Sequence, residues 1–120
     1  MLTKIALVTM VGLLALGQQA AAEGFVPVKD RDRFVSLVEG RELTRFGIRL
    51  SVEPDGDITG RAFGREVTGD WAWQNGYFCR NLSFGADPLE YNCQLVEERE
   101  ATLRFTSDQG AGMSADLTLR

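Results

Sequence analysis

The stretch GDWAWQNGYFC, residues 69–79, decides the fold that this sequence predicts. Trp71 and Trp73 alternate with small or polar residues, which is the two-residue period of a β-strand. Asn75-Gly76 follows and is the strongest short signal in the chain for a type I′ hairpin turn. The stretch therefore predicts two antiparallel strands joined by a tight turn.

The two-residue period extends through the rest of the chain. In residues 46–52, for example, Phe46, Ile48, Leu50 and Val52 share one face. Short turn sequences separate seven such segments, and glycines lie inside three of them, which favours bending. We expect a mainly β fold, a single antiparallel meander of about seven strands that is curled or barrel-like; the sequence leaves open whether the sheet closes. The expected strands are residues 46–52, 58–63, 66–73, 77–84, 90–98, 101–107 and 113–119.

One short helix precedes the strands. Phe34, Leu37 and Val38 recur at the spacing of one helical face. Asp30 is a good N-cap residue, and Gly40 can end the helix in a left-handed conformation. We expect this N-terminal helix to cover one end of the sheet.

The chain has two cysteines, Cys79 and Cys93. An even count in an exported chain predicts a disulfide, and these cysteines fall on adjacent predicted strands. Closing a loop of this size stabilises a fold by about 3 kcal/mol in the chain-entropy model.

The first 22 residues have the layout of a signal peptide. Lys4 precedes an apolar run over residues 5–16, and Ala20 and Ala22 place small residues before a cleavage point. We therefore expect a signal peptide over residues 1–22, one disulfide-closed β-domain over residues 23–120, and a periplasmic or secreted location.

Charge and composition exclude several function classes. The chain has 13 basic and 17 acidic side chains, and Lys4 lies in the signal segment, so the predicted domain has a net charge of −5. An acidic domain is a poor partner for nucleic acid, and we expect no membrane association after cleavage. The chain has no histidine, the commonest general base and zinc ligand. We expect no catalytic residues, no metal and no cofactor.

Aromatic and arginine side chains are the candidates for binding. Trp71 and Trp73 fit either a hydrophobic core or a ligand cleft. Four arginines lie within strands and would form a row for carboxylate or phosphate if one face collected them, or ion pairs on an outer face if not. Arg80 shares a face with apolar residues and should be partly covered. If a binding site exists, we expect it where Arg80 emerges beside the disulfide, near Tyr77, Asn92 and Gln94. The strand arginines are Arg49, Arg61, Arg80 and Arg104.

The segment LTRFGIRLSVEPDGDITGRAFGREVTGDWAWQNGYFCRNL, with YNCQLV and LRFTSDQGAG, resembles a group of small exported alphaproteobacterial β-proteins. Members of that group often carry the label dihydrodipicolinate reductase, and the resemblance covers nearly all of residues 23–120. The reductase uses a dinucleotide fingerprint and a His-His…Lys motif. Neither has a counterpart in this chain, so the resemblance transfers no site residue.

We therefore expect a periplasmic, non-catalytic binding or interaction module. Its partner is an unknown envelope protein or a small anionic ligand. The alternatives are a reductase of the type that the group label implies and an inhibitor of an envelope enzyme.

The signal segment generates the first prediction. The exported protein should begin at Glu23, because Ala22 is the last small residue of the cleavage pattern. Intact-mass measurement of protein recovered from the periplasm checks this. A mass that includes residues 1–22 contradicts it.

Overall fold

The computed structural model describes residues 24–120, and the predicted signal peptide lies outside the described residues. Within this range the chain forms one short helix, one 3₁₀ turn and ten strands, with every strand pairing antiparallel. The helix α1 is Arg31–Val38 and the 3₁₀ turn is Asp108–Gly110. The strands are β1 Val26–Pro27, β2 Leu43–Arg45, β3 Ile48–Val52, β4 Asp57–Ala62, β5 Arg65–Gln74, β6 Tyr77–Phe84, β7 Asp87–Pro88, β8 Asn92–Arg99, β9 Thr102–Thr106 and β10 Ser114–Leu119.

Eight of these strands form a closed barrel. Strands β2 to β6 pair in chain order, β6 pairs with β8, and β8, β9 and β10 continue the series. Strand β10 then pairs with β2, through Thr118 with Thr44 and Leu119 with Leu43. The predicted mainly β antiparallel fold with one short helix is confirmed, and the question of an open or closed sheet is decided in favour of closure.

The first strand was predicted to begin at residue 46, and this boundary is wrong, because β3 begins at Ile48. Phe46 and Gly47 form the turn between β2 and β3, with Gly47 at φ +75°, and Phe46 is 89 % exposed. The prediction failed because Phe46 in the turn keeps the two-residue apolar spacing of Ile48, Leu50 and Val52. The sequence pattern therefore does not mark where the turn ends and β3 begins. Leu43, on the additional strand β2, is buried in the core instead.

Two glycines within neighbouring strands allow the barrel to bend. A Cβ atom at Gly60 would collide with the carbonyl oxygen of Arg49, and one at Gly69 with that of Asn81. Only glycine permits these close backbone approaches, which tighten the curvature of β4 and β5. Gly60 pairs with Leu50 on the inner face, so the missing side chain also leaves space inside the barrel.

Helix α1 closes one end of the barrel. Asp30 caps it by accepting a hydrogen bond from the Arg33 backbone N–H at 2.8 Å, as predicted. Phe34 and Val38 point into the barrel and are fully buried. On the outside, Arg33 pairs with Glu98 at 2.6 Å, and its hydrogen bond holds the pKa of Glu98 below the usual range.

An aromatic cluster fills the barrel beneath the helix. The Phe34 ring lies 5.2 Å from those of Trp71 and Trp73, 5.0 Å from that of Phe78 and 6.4 Å from that of Phe105. Such pairs contribute beyond the area that they bury. This half of the barrel is a packed core.

The predicted disulfide is confirmed. Cys79 and Cys93 are directly opposite each other in the β6–β8 pair, with their Cα atoms 3.9 Å apart. Only three residue pairs join these two strands, and the disulfide is the central one. It therefore fastens the junction at which the barrel closes.

Trp71 generates the second prediction. Trp71→Ala should lower the free energy of unfolding by about 3–5 kcal/mol, because the side chain is 6 % exposed and contacts Phe34. Its indole N–H also donates to the Glu53 carbonyl at 2.8 Å. Denaturant titration measures the change, with the exposed Thr68→Ala on the same strand as the control. A loss within about 1 kcal/mol would contradict the core assignment.

Candidate functional site

The end of the barrel away from α1 opens into a cavity of about 510 Å³. Phe78 and Phe105 form its floor, so the aromatic cluster separates it from the helix. Its volume falls in the range of small-molecule sites, roughly 300–1,000 Å³. The apolar side chains of its wall come from β2, β3, β4, β6 and β10, namely Leu43, Ile48, Leu50, Val52, Ile58, Leu82, Ala115 and Leu117.

A second apolar compartment of about 300 Å³ adjoins this cavity near the open end. The two share Ile48, Leu50 and Leu82, so they are neighbouring parts of one barrel interior. Phe63 and Leu89 line the second compartment where it meets the solvent. The interior thus offers room for an apolar group with access from one end.

Arg80 lines the main cavity. It lies on the inner face of β6, directly opposite Trp71 on β5 and Asn92 on β8. Its Nη1 donates a hydrogen bond of 2.6 Å to the carbonyl oxygen of Glu90. The side chain is half-buried, and this burial lowers the pKa of its guanidinium. Among residues 24–120 no carboxylate forms an ion pair with it.

The polar lining of the cavity suits an anion. Besides Arg80, the cavity is lined by Arg45, Gln94, Ser107 and Ser114, and no carboxylate is among its lining residues. Gln94 Nε2 donates to Ser107 Oγ at 3.4 Å. A protein with an excess of acidic side chains thus lines this apolar cavity with positive charge only, which favours negative charge there.

Of the candidate residues, Arg80 and Gln94 line the cavity and the others do not. Trp71 and Trp73 belong to the aromatic cluster below the floor, and the buried Trp73 indole N–H has no hydrogen-bond partner within residues 24–120. Tyr77 is on the outer face of β6 with the disulfide, since it pairs with Gln74 rather than with an inner residue.

Asn92 lies on the inner face, where it holds a loop rather than lining the cavity. Its Nδ2 donates to Asp108 Oδ1 at 2.8 Å, and its Oδ1 accepts from the Asp108 backbone N–H at 2.9 Å. These bonds hold the 3₁₀ turn between β9 and β10, where Asp108 and Gln109 have φ of 54° and 56°.

The four strand arginines do not form one row. Arg49 and Arg61 are directly opposite each other on the outer wall. Arg104 pairs with Asp116 at 2.8 Å on another part of the wall, and its hydrogen bond lowers the pKa of Asp116. Arg80 alone points inward, because the alternation on β6 places it with Phe78.

Sequence reasoning missed Arg45, Ser107 and the apolar wall as parts of the site. Arg45 follows the inward-facing Leu43 by two residues, so recognising β2 as a strand would have placed it at the mouth of the cavity. Ser107 lies in the loop after β9, and nothing in its local pattern points to the cavity.

In residues 24–120 no group of three or more Cys, Asp or Glu side chains is arranged to hold a metal ion. No helix in this part of the chain is long and apolar enough to cross a membrane. Comparison of the chain with protein-family models, with curated proteins and with solved structures finds no match.

Arg80 generates the third prediction. Arg80→Leu should leave the free energy of unfolding unchanged or raise it by about 1 kcal/mol, because it replaces a desolvated, unpaired charge with an apolar group. The Glu90 carbonyl that it releases lies on an exposed residue and can bind water. Denaturant titration measures the change.

Arg104→Leu is the matched control, since it breaks the ion pair with Asp116 and should lower stability. A loss of more than about 2 kcal/mol in Arg80→Leu would instead make Arg80 a structural residue.

Proposed function

We propose that this protein is a non-catalytic periplasmic binding protein for a small amphipathic molecule with an apolar body and one anionic group. The apolar body would occupy the barrel interior, and the carboxylate or phosphate would bind Arg80. The observation that carries the proposal is a half-buried guanidinium in the wall of an apolar cavity, with no carboxylate partner in the described part of the chain.

The architecture supports small-molecule binding. A barrel of eight strands has an interior just wide enough to be filled by side chains or to hold one small ligand. Here the aromatic cluster fills the half beneath α1, and the other half contains the cavity. Partial exposure of Ile48 and Leu50, which belong to the inner face, reflects that unfilled space.

The charge distribution supports an anionic head group. An unpaired cation in an apolar site is costly, and a ligand anion would compensate that cost when it binds. One N–H of Arg80 donates to the Glu90 carbonyl, and this hydrogen bond orients the guanidinium. The other four N–H donors remain for a ligand. Arg45 at the mouth adds a second positive charge.

The disulfide and the predicted signal segment together support the proposed periplasmic location. A disulfide between Cys79 and Cys93 is compatible with an oxidising compartment, and the N-terminal pattern is that of an exported chain. Delivery or storage of a poorly soluble anion is a role that such a protein could fill in the periplasm.

The fourth prediction compares two ligands that differ only in the head group. Delipidated protein should bind decanoate with one-to-one stoichiometry and bind 1-decanol more weakly by about 10- to 100-fold. A hydrogen bond to a charged group contributes about 1.5–3 kcal/mol, and tenfold corresponds to 1.4 kcal/mol. Isothermal titration calorimetry measures both affinities.

Arg80→Leu should lose the preference for decanoate and keep the affinity for 1-decanol. Arg49→Leu on the outer wall is the matched control and should behave as the unmodified protein. Equal binding of the two ligands by the unmodified protein would refute the head-group role of Arg80, and no binding of either would refute the function.

A further inference from the structure

The open end of the barrel presents exposed apolar side chains around the entrance to the cavity. Phe46 is 89 % exposed, Met113 86 %, Phe63 66 % and Leu89 48 %. They lie on the four connections of this end, which join β2 to β3, β4 to β5, β6 to β8, and β9 to β10. We call these four residues the rim. Exposed apolar side chains grouped at one end mark an interaction surface.

Phe63 has a backbone conformation that is unusual for an aromatic residue. It occupies the first position of a type I′ turn with φ of 51°, followed by Gly64 at 81°. Asn and Gly prefer that geometry, and an aromatic residue adopts it at a cost. The equivalent turn at the helix end has the preferred pair, Asn75 and Gly76 at 53° and 84°. The Phe63 ring packs against Gly47 of the neighbouring turn and lines the second compartment, and it remains 66 % exposed at the mouth.

Arginines flank the rim on the outer wall. Arg49 and Arg61 face each other there and, with Arg45 and Arg120, line an open groove of about 690 Å³ that also includes Phe46. Arg49 has a long contact of 3.5 Å with Glu42 and remains 70 % exposed. Positive charge therefore lies directly beside the exposed aromatic ring.

The acidic side chains are concentrated at the opposite end. Near the rim, Asp87 is paired with Arg65 at 3.2 Å, Glu42 contacts Arg49 at 3.5 Å, and Glu66 is directly opposite Arg61. Asp108 and Glu90 also lie at this end, but no carboxylate side chain of the described residues lines the groove that holds Arg49 and Arg61. Charges farther apart than the Debye length, about 8 Å at physiological ionic strength, are largely screened, so a docking surface responds to local charge. The acids of helix α1, its flanks and the turns beside it, apart from Glu42, are Asp30, Asp32, Glu39, Glu53, Asp55, Asp57, Glu98 and Glu100.

We propose that the rim docks on an anionic lipid bilayer, with Phe46, Phe63, Leu89 and Met113 in the interfacial region and Arg49 and Arg61 beside lipid phosphates. The net charge of the domain predicted no membrane association, and the distribution of charge reverses that expectation at this end. The inference rests on the proposed function for its purpose, since docking would let an amphipathic ligand pass between bilayer and cavity without crossing water.

The fifth prediction is tested by flotation of ligand-free protein with vesicles. The protein should float with vesicles of phosphatidylglycerol mixed with phosphatidylcholine, and far less with phosphatidylcholine alone. Phe46→Ser should weaken binding about tenfold, whereas Val26→Ser, an exposed apolar residue on β1, should not. Arg49→Gln with Arg61→Gln should weaken it by roughly fivefold per arginine, whereas Arg41→Gln beside α1 should not.

Phe63→Asn separates docking from folding. It should largely preserve the melting temperature, because Asn suits the left-handed turn and this offsets the lost contact of the ring with Gly47, and it should still weaken vesicle binding. Phe46 lines neither compartment of the interior, so Phe46→Ser should leave the affinity for dissolved decanoate unchanged.

The outcomes distinguish the two proposals. Vesicle binding without decanoate binding would support docking of the rim and refute the proposed ligand. Decanoate binding without vesicle binding would refute docking and leave the proposed function intact. Equal flotation of the Phe46→Ser and Val26→Ser variants would refute the rim. Sedimentation velocity that shows a dimer lost in Phe46→Ser, without vesicle binding, would assign the rim to a second copy of the chain and overturn the proposal.

Discussion

The pairing of β6 with β8 is the constraint on which the rest of this structure depends. Strands β5 and β6 are joined by eight residue pairs, whereas β6 and β8 are joined by three, with the Cys79–Cys93 disulfide at their centre. The disulfide supplies covalently what so short a ladder lacks in hydrogen bonds, and its loop is worth about 3 kcal/mol in the chain-entropy model. Because this junction closes the sheet, the inner face becomes an enclosed interior.

That interior is divided by the position of Phe34. The helix inserts this ring from one end, and the aromatic side chains of β5, β6 and β9 pack around it. No second element enters from the other end among the described residues, and Gly60 removes a side chain from the inner face there. One half of the barrel is therefore dense, and the other half contains the cavity.

Arg80 and Phe63, both at the open half, depart from what stability alone would select, as do the buried indole N–H of Trp73 and the left-handed Glu100 at the helix end. Arg80 places a guanidinium in an apolar wall without a carboxylate partner, and Phe63 places an exposed aromatic ring in a left-handed turn. Natural sequences break local rules of this kind mainly at functional sites. The cavity and its rim lie at the end to which we assign the proposed function, while α1 closes the other end and the disulfide fastens β6 to β8.

Local chemistry determined much of this protein from the sequence alone. The strand period, the Asn75-Gly76 turn, the Asp30 cap and the Cys79–Cys93 pair each depend on neighbours along the chain or on adjacent strands, and the structure contains all of them. The alternation on β6 likewise placed Arg80 with Phe78. Only the tertiary structure decided which face of that strand would be enclosed, because enclosure depends on the distant pairings of β6 with β8 and of β10 with β2. For the same reason the sequence could not show that Gln94 would line a cavity, or that Phe46 lies at its mouth.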